Sequence, residues 1–396
     1  MSDKHVHRDP PPRWRDCAAG TDDALDRASA LIRGALVPGD PSNAWTELVR
    51  VALYGHGPDV SEIGTTWVGD LVGMNSLHAF THAEIETIGG ADIFLKPAWQ
   101  SGLVGQDNQV WSVPWLADTR LIYYRRDLLA KAGISDAGAF ATHAAMKDTL
   151  QKLVDYGTPL PFIIPTTASR MCLQVLASFV WAAGGDFIDL DGKKTLLNLP
   201  QTRAGFYQYF ELGKYLVPAA HNIVDTESDV MYRQNEAAVT ISGPWLLRFP
   251  GTNPDVIKNS GITFPPGVPF VGGTNLVVWK HSRNPREALS LIRLLTSKKE
   301  QRFYSHSIGM LPVRQEVLSD PETADDPLYK TLSLGFQRGR SFRMFHLWGL
   351  VEDRLTNVIG AIWQDLLLHP ELDLQSTVDK RLTALARQLD LVLSSK

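Results

Sequence analysis

Tryptophans and small polar residues gather at several points of the sequence where a predicted strand ends. In open α/β sheets, ligands bind beyond the carboxyl ends of strands, so these points are where a binding site is expected. Indole rings cover the apolar C–H surface of a sugar ring, while carboxylate, guanidinium, amide and hydroxyl groups bond its hydroxyls. The composition of these points therefore predicts a site for an uncharged, polyhydroxylated ligand. The candidate residues are Thr65, Thr66, Trp67, Trp115, Asp118, Arg120, Trp181, Gly243, Pro244, Trp245, Gly273, Thr274, Asn275, Arg314, Arg343 and Trp348.

Each candidate also has a purely structural interpretation. A tryptophan in a chain of 396 residues is more often part of the core than of a ligand site. Trp67 and Trp245 are favoured as ligand contacts because turn-forming or small residues flank them, whereas Trp279 and Trp363 lie in apolar periodic segments and predict core positions. Arg314 could form a surface ion pair, and Asp118 could cap the element that follows it.

Motifs of the common catalysts are missing from the sequence. It contains no GxSxG nucleophile turn, no phosphate-binding GxxxxGK[ST], no complete GxGxxG and no HExxH. His78 and His82 have the spacing of two ligands on one helix face, but no third ligand is placed beside them, and Asp191-Gly192 is better explained as a hairpin turn than as part of a calcium loop. We therefore expect neither catalysis, nor a metal site, nor a cofactor.

Length and charge narrow the class of protein further. The chain carries 39 Lys and Arg against 43 Asp and Glu, for a net charge of −4, and has no basic run of the kind that binds nucleic acid. Two cysteines, Cys17 and Cys172, are too few for a disulfide framework. A length of 396 residues favours two domains over one.

Short apolar runs alternate with amphipathic helical segments along most of the chain. The runs include Val60–Ile63, Leu121–Tyr124 and Leu276–Trp279, and their alternation with helices predicts α/β layers with parallel sheets. Asn284-Pro285 is a strong helix start, and two long amphipathic helices end the chain. The first 20 residues are polar and rich in proline, which predicts a tail.

Five blocks of the sequence, in order, resemble the sugar-type extracellular solute-binding proteins of ABC importers, the family of maltose-binding protein. The likeness extends over nearly all of residues 44–391. The blocks are GPDVSEIGTTWVGDL, VPWLADTRLIYYRRDLLAKAG, AAVTISGPWLL, PFVGGTNLVVWKHSRNPREALSLIRLLTS and MLPVRQEV.

This resemblance implies a type II periplasmic-binding-protein fold: two α/β lobes joined by a hinge, with a helical C-terminal region. It implies a tail at 1–20, a first lobe from 21–117 with 272–315, and a second lobe from 118–271 with 316–396. It puts Thr65 to Trp67 on the cleft wall of the first lobe and Gly243 to Trp245 on that of the second. Asp118 and Arg120 fall at the first crossing between lobes, and Gly272 to Asn275 at the second; Arg343 and Trp348 would add late contacts.

The function implied by the resemblance is non-catalytic: a monomeric receptor holds a neutral sugar or oligosaccharide in the cleft and delivers it to ABC permease subunits in the membrane. A carbohydrate-acting enzyme and an orphan cytoplasmic sugar-sensing module stay open as alternatives. The family location is the periplasm or the outer face of the cell membrane. The opening residues, MSDKHVHRDPPPRWRD, have charges and prolines where a signal peptide has its apolar stretch, so a cytoplasmic location is the alternative.

One departure from the family pattern lies at the start of the chain. Members normally have a first β-strand ahead of the helix that here begins near Thr21. A polar, proline-rich segment occupies that place, and Ala35 to Val37 are expected to substitute in part for the strand.

Overall fold

The computed structural model describes residues 44–105, 109–324 and 326–394. The predicted tail at 1–20, the helix expected from Thr21 and the substitute strand at Ala35 to Val37 lie outside the described residues.

The strands form two main sheets and a small ribbon. The first sheet has the order β1-β8-β4-β9, the second sheet has the order β6-β5-β7, and β2 pairs with β3. The strands are β1 (Val60–Gly64), β2 (Leu103–Val104), β3 (Gln109–Val110), β4 (Val113–Thr119), β5 (Leu121–Arg125), β6 (Val239–Ser242), β7 (Ser260–Thr263), β8 (Val271–Val278) and β9 (Leu311–Pro312).

Helices cover both sheets and end the chain. Before β6 they are α1 (Ala44–Tyr54), α2 (Val68–Gly73), α3 (His82–Ile88), α4 (Lys96–Gln100), α5 (Arg126–Lys131), α6 (His143–Asp155), α7 (Arg170–Ala182), α8 (Pro200–Phe210) and α9 (Asp225–Arg233). After β6 they are α10 (Pro254–Asn259), α11 (Pro285–Leu295), α12 (Lys298–Ile308), α13 (Gln315–Leu318), α14 (Pro321–Ala324), α15 (Pro327–Arg338), α16 (Trp348–Leu368) and α17 (Leu374–Leu393). Within the described ranges no helix is long and apolar enough to cross a membrane.

Local sequence explains where several helices begin. Ser169 caps α7, because its hydroxyl accepts from the backbone N–H of Met171 at 3.0 Å, and Asp373 caps α17 by accepting from Ser376 N–H at 2.8 Å. The helix start predicted at Asn284-Pro285 is confirmed by α11, although the Asn284 side chain makes no capping bond. The two predicted terminal helices are confirmed as α16 and α17.

The expectation of parallel sheets is wrong. Every ladder within the described strands is antiparallel, from β1 with β8 to β5 with β7, and parallel pairing occurs only as isolated bridges such as Ile163 with Thr240. Continuous apolar runs suggested parallel strands because such strands are buried on both faces. Here helices bury the antiparallel strands in the same way, so the burial signal does not reveal strand direction.

The chain passes between the two sheets with almost no linker. β4 ends in the first sheet at Thr119 and β5 starts in the second sheet at Leu121, so Arg120 alone separates them. β8 returns the chain from the second sheet to the first. The type II periplasmic-binding-protein fold predicted from the resemblance is confirmed, with its helical C-terminal region.

Candidate functional site

The turn Thr65–Trp67, which the resemblance puts on the first wall, is a single 3₁₀ turn that continues β1 into α2. Thr65 and Thr66 are buried, and Trp67 is partly buried. The Trp67 ring lies 5.6 Å from the ring of Trp45, and the Arg170 guanidinium of α7 lies 5.3 Å from its centroid. Arg170 thus reaches from the helix layer of the second sheet to an indole carried by the first.

Asp118 and Arg120 form a buried pair at the point where the chain leaves the first sheet. Both terminal nitrogens of Arg120 donate to Asp118 Oδ2, at 3.2 and 3.1 Å, and Arg120 Nε donates to Gln174 Oε1 at 2.9 Å. The Arg120 side chain is only 5% exposed. Asp118 Oδ1 is buried and has no hydrogen-bond partner among the described residues, so it is a vacant acceptor in the site.

The Gly243–Trp245 turn, which the resemblance puts on the opposing wall, follows β6. Trp245 Nε1 donates to Asp229 Oδ2 at 3.0 Å, and Ser242 Oγ donates to Asp229 Oδ1 at 2.6 Å. Burial raises the pKa of Asp229, and the two hydrogen bonds from Ser242 and Trp245 oppose this increase. A Cβ on Gly243 would lie 2.1 Å from the Trp245 ring, so glycine is required for the indole to fold back over its own turn.

Arg120, between β4 and β5, also contacts the Gly243–Trp245 turn. Its guanidinium lies 5.2 Å from the centroid of the Trp245 ring, which is itself partly buried, and 5.7 Å from that of Phe270. Asp118, Arg120 and Trp245, predicted from separate motifs, therefore come together in one group.

The glycines of the second crossing let β8 approach β4 closely. Gly273 has φ +135°, and a Cβ there would lie 2.1 Å from the carbonyl oxygen of Leu116. A Cβ on Gly272 would lie 2.8 Å from Asp118 Oδ1, so Gly272 leaves space beside the vacant acceptor. Thr274 is partly buried, whereas Asn275 is fully buried and its amide donates to Ser101 and Ser112 at 3.1 and 2.8 Å.

Three of the predicted tryptophans are packed against other aromatic rings. Trp115 is 2% exposed and lies 4.7 Å from Tyr304. Trp181 contacts Phe270 and Phe342, at 6.5 and 5.6 Å, and Trp348 contacts Phe342 at 4.6 Å. Their roles as ligand contacts stay predictions, as the observed contacts are those of core residues. The core positions predicted for Trp279 and Trp363 are confirmed.

Among the described residues, the two remaining arginines make no hydrogen bond or ion pair with this group. Arg314 donates to the Thr296 carbonyl at 3.0 Å and pairs with Glu316 at 2.7 Å, which is the ion pair named as its alternative. Arg343 is exposed in the segment before α16. The structure thus brings Asp118, Arg120, Trp245 and Gly272 together, while Trp67 and Arg314 contact other residues.

Residues that sequence reasoning missed complete the site. Gln174 and Arg170 lie one turn apart on α7, and Glu352 lies on the buried side of α16 at 1% exposure. Arg170 Nε donates to Glu352 Oε2 at 3.1 Å. Gln174 and Glu352 had a signal, because each is a polar residue interrupting an apolar helical stretch.

Two carboxyl groups near Trp67 have altered proton affinity. Burial raises the pKa of Glu352, although Arg170 and the Thr66 hydroxyl counteract it. Burial, together with the charge of Glu352, raises the pKa of Asp70 to about 7. Within the described residues no group of His, Cys, Asp and Glu is arranged to hold a metal ion. The arrangement offers aromatic faces and hydrogen-bonding groups, which suits binding.

Comparison with known proteins agrees with this fold. The chain is 22% identical over 338 residues to the maltotriose-binding protein of Pyrococcus abyssi, covering 78% of this chain and 68% of that protein. It superimposes on a solute-binding protein of Thermotoga lettingae bound to α-D-tagatose with a TM-score of 0.77 at 21% identity, covering 89% of both chains. Maltose-bound MalE3 of T. maritima gives a TM-score of 0.76 at 21% identity, covering 89% of this chain and 90% of the other.

The family model described as bacterial extracellular solute-binding protein matches residues 35–331. That family consists of binding proteins, so the enzyme alternative is not supported, and its extracellular character means the periplasm or the outer face of the cell. The chain belongs to the bacterial extracellular solute-binding protein family.

Proposed function

We propose that this protein is the sugar-binding component of an ABC importer, which holds a neutral sugar or oligosaccharide between two lobes and releases it chemically unchanged. The observation that carries the proposal is the group at the first crossing. There a vacant buried acceptor, Asp118 Oδ1, lies beside a fixed guanidinium, Arg120, which in turn lies against the partly exposed indole of Trp245. A sugar needs this combination of a flat apolar face and directional bonds to hydroxyls.

The proposed lobes are residues 21–117 with 272–315 and residues 118–271 with 316–396. Two observations support this division: the first and second sheets share no strand, and the chain changes sheet at Arg120. Helix α16 packs against α7 beside the second sheet and also touches α2 beside the first. A movement of one lobe against the other would therefore change the contacts of this helix.

The relatives support a sugar as the ligand. The Pyrococcus protein is a maltotriose-binding protein, and the Thermotoga structures contain tagatose and maltose. These ligands are neutral and rich in hydroxyls, which fits the polar groups and indoles at the two crossings. The proposed partners are the ABC permease subunits of the membrane, with the binding protein acting as a monomer at the periplasmic or outer face.

Isothermal titration against a panel of mono- and oligosaccharides tests the proposal. We expect at least one neutral sugar to bind, with affinity well inside the millimolar range. We also expect the radius of gyration, measured by small-angle scattering, to fall at saturation because the lobes close. If no sugar binds at millimolar concentration, the proposed ligand class is wrong; binding with an unchanged scattering profile would contradict the hinge alone.

A further inference from the structure

The strongest feature outside the proposed sugar contacts is a charge cluster formed by the partly buried Asp70, the buried Glu352 and the half-exposed Arg170. Asp70 lies on α2, three residues after Trp67; Glu352 lies in the first turns of α16, and Arg170 begins α7. The cluster therefore joins the helix that follows β1 of the first sheet to two helices on the side of the second sheet. Sequence reasoning assigned no role to any of the three residues.

Asp70 meets α16 at its N-terminus. Gly349, the second residue of α16, lies beside the Asp70 carboxyl group, and its backbone N–H acts to lower the pKa of that carboxyl group. A Cβ on Gly349 would lie 2.0 Å from Asp70 Oδ2, so only glycine allows this approach. A carboxyl group from one half of the molecule thus lies at the N-terminus of a helix of the other half, and its Oδ2 is buried with no hydrogen-bond partner among the described residues.

Glu352 and Arg170 extend the contact. Glu352 is 1% exposed and accepts from Arg170 Nε at 3.1 Å, and the Arg170 guanidinium covers the Trp67 ring at 5.3 Å. The Thr66 hydroxyl also lies beside the Glu352 carboxyl. Every member of the cluster therefore touches a residue on the far side of the interface.

The cluster has more negative than positive charge. Asp70 faces Glu352 of α16 and Arg170 of α7. It also faces His346, in the segment before α16, and these two residues line a cavity of about 370 Å³. Helix α2 also packs against the Thr65–Trp67 turn and β2, and neither of these two described elements carries an ionisable side chain. One buried and one partly buried carboxyl group thus lie near one guanidinium, which is paired with Glu352, and this favours a proton on one of the two carboxyl groups.

We propose that Asp70 is a positioning residue that makes closure of the lobes depend on protons, with Asp70, Glu352 and Arg170 acting as a latch that takes up a proton when it forms. This inference rests on the proposed hinge and deepens it. In an open form, the Asp70 carboxyl lies in water and ionises at its ordinary pKa of 3.8, whereas in the latched form its pKa is about 7. The latched form therefore binds the proton more tightly.

The direction of the pH effect follows from linkage. Because closure takes up a proton, closure and ligand affinity weaken as the pH rises from about 4 to about 7, and are constant above that range. Between pH 8 and pH 5 the affinity is expected to increase on the order of tenfold or more. Asp70→Asn imitates the protonated carboxyl and should remove this dependence.

The first test needs no sugar. In the full chain with ¹³C-labelled aspartate, one carboxyl signal should titrate near pH 7 and vanish in Asp70→Asn. Glu352→Gln should shift the same signal to lower pH, which serves if the Asp70 variant does not fold. If every aspartate titrates in its usual range, the latch is wrong.

The second test separates the latch from the proposed function. Isothermal titration in two buffers of different ionisation heat counts the protons taken up on sugar binding, with Asp92→Asn, an exposed aspartate of the same half, as the matched control. Proton uptake in wild type and in the control, but not in Asp70→Asn, supports the latch. Sugar binding without proton uptake overturns the latch alone, whereas a carboxyl titrating near pH 7 in a protein that binds no sugar overturns only the ligand assignment.

Discussion

The two candidate indoles of the site, Trp67 and Trp245, each face a guanidinium, yet their surroundings differ. Arg120 lies 5.2 Å from Trp245 and its side chain is 5% exposed, with bonds to Asp118 and Gln174. Arg170 lies 5.3 Å from Trp67, but its side chain is 44% exposed and its partner Glu352 is its only hydrogen bond in the described part of the chain.

This difference separates a fixed half of the site from an adjustable half. Several bonds at low exposure hold Arg120 in one orientation, so Trp245 presents a preformed face. Arg170 is half-exposed and has fewer bonds, so its side chain is less constrained than that of Arg120. A ligand is therefore expected to dock first against Trp245.

The largest expected effect is on stability, from Arg120→Ala. This change leaves the buried Asp118 carboxylate without its cation, and breaking one partner of a buried pair costs about 3–5 kcal/mol of unfolding free energy. Urea denaturation measures it. A loss below about 1 kcal/mol would show that the Trp245 half is no more fixed than the other.

The second-largest effect is expected from Trp245→Ala, which should weaken the affinity for sugar. Loss of the indole face removes apolar contact worth about 1–3 kcal/mol of binding free energy. Titration calorimetry measures the change, and Trp245→Phe, which keeps a smaller ring, should retain part of the affinity. A change under about 0.3 kcal/mol would remove Trp245 from the binding site.

Glu352→Gln should change how the unfolding free energy depends on pH, because Glu352 is the partner of Arg170 beside Trp67. Burial raises the folded-state pKa of Glu352, so the folded chain holds this proton more tightly than the unfolded chain does, and its contribution to stability is lost as the pH rises above 4.5. The variant should therefore show a flatter stability profile between pH 4.5 and 8 in urea unfolding. Glu86→Gln, at an exposed position, is the control, and parallel profiles for Glu352→Gln and wild type would contradict the expectation.

The smallest effect is expected from Arg170→Ala. The Arg170 side chain is half-exposed, and its buried partner Glu352 has a raised pKa and can take up a proton in place of the lost cation. Where Glu352 is protonated, the loss of unfolding free energy should therefore stay below about 1 kcal/mol. Removing the positive charge of Arg170 should also raise the pKa of Glu352 further, because Arg170 lowers that pKa. A destabilisation equal to that of Arg120→Ala would abolish the distinction between the two halves.

Much of the fold could be predicted because its signals are local. The apolar run at Val60, the helix start at Asn284 and the amphipathic stripes of α16 and α17 each depend on a few neighbouring residues, and the structure has these elements. Strand direction was predicted wrongly, because burial on both faces is the same for parallel and antiparallel strands.

Prediction of the site was less complete for a related reason. Trp67 and Trp245 could be recognised from the turn residues beside them. They are the two candidate tryptophans that are only partly buried. Trp115 and Trp348 carry similar flanking sequence, but rings distant in the chain, Tyr304 and Phe342, cover them. No local pattern could report a neighbour contributed by another element.

The sequence by itself determined the α/β class, the main helices and strands, and the residue types that can bind a hydroxyl-rich ligand, because propensity, capping and hydrophobic period act over a few residues. Only the tertiary structure decided which of these residues meet. It brought Gln174 to Arg120, Arg170 to Trp67 and Asp70 to α16, because side-chain contacts and shifts in proton affinity depend on burial between segments that are far apart in the chain.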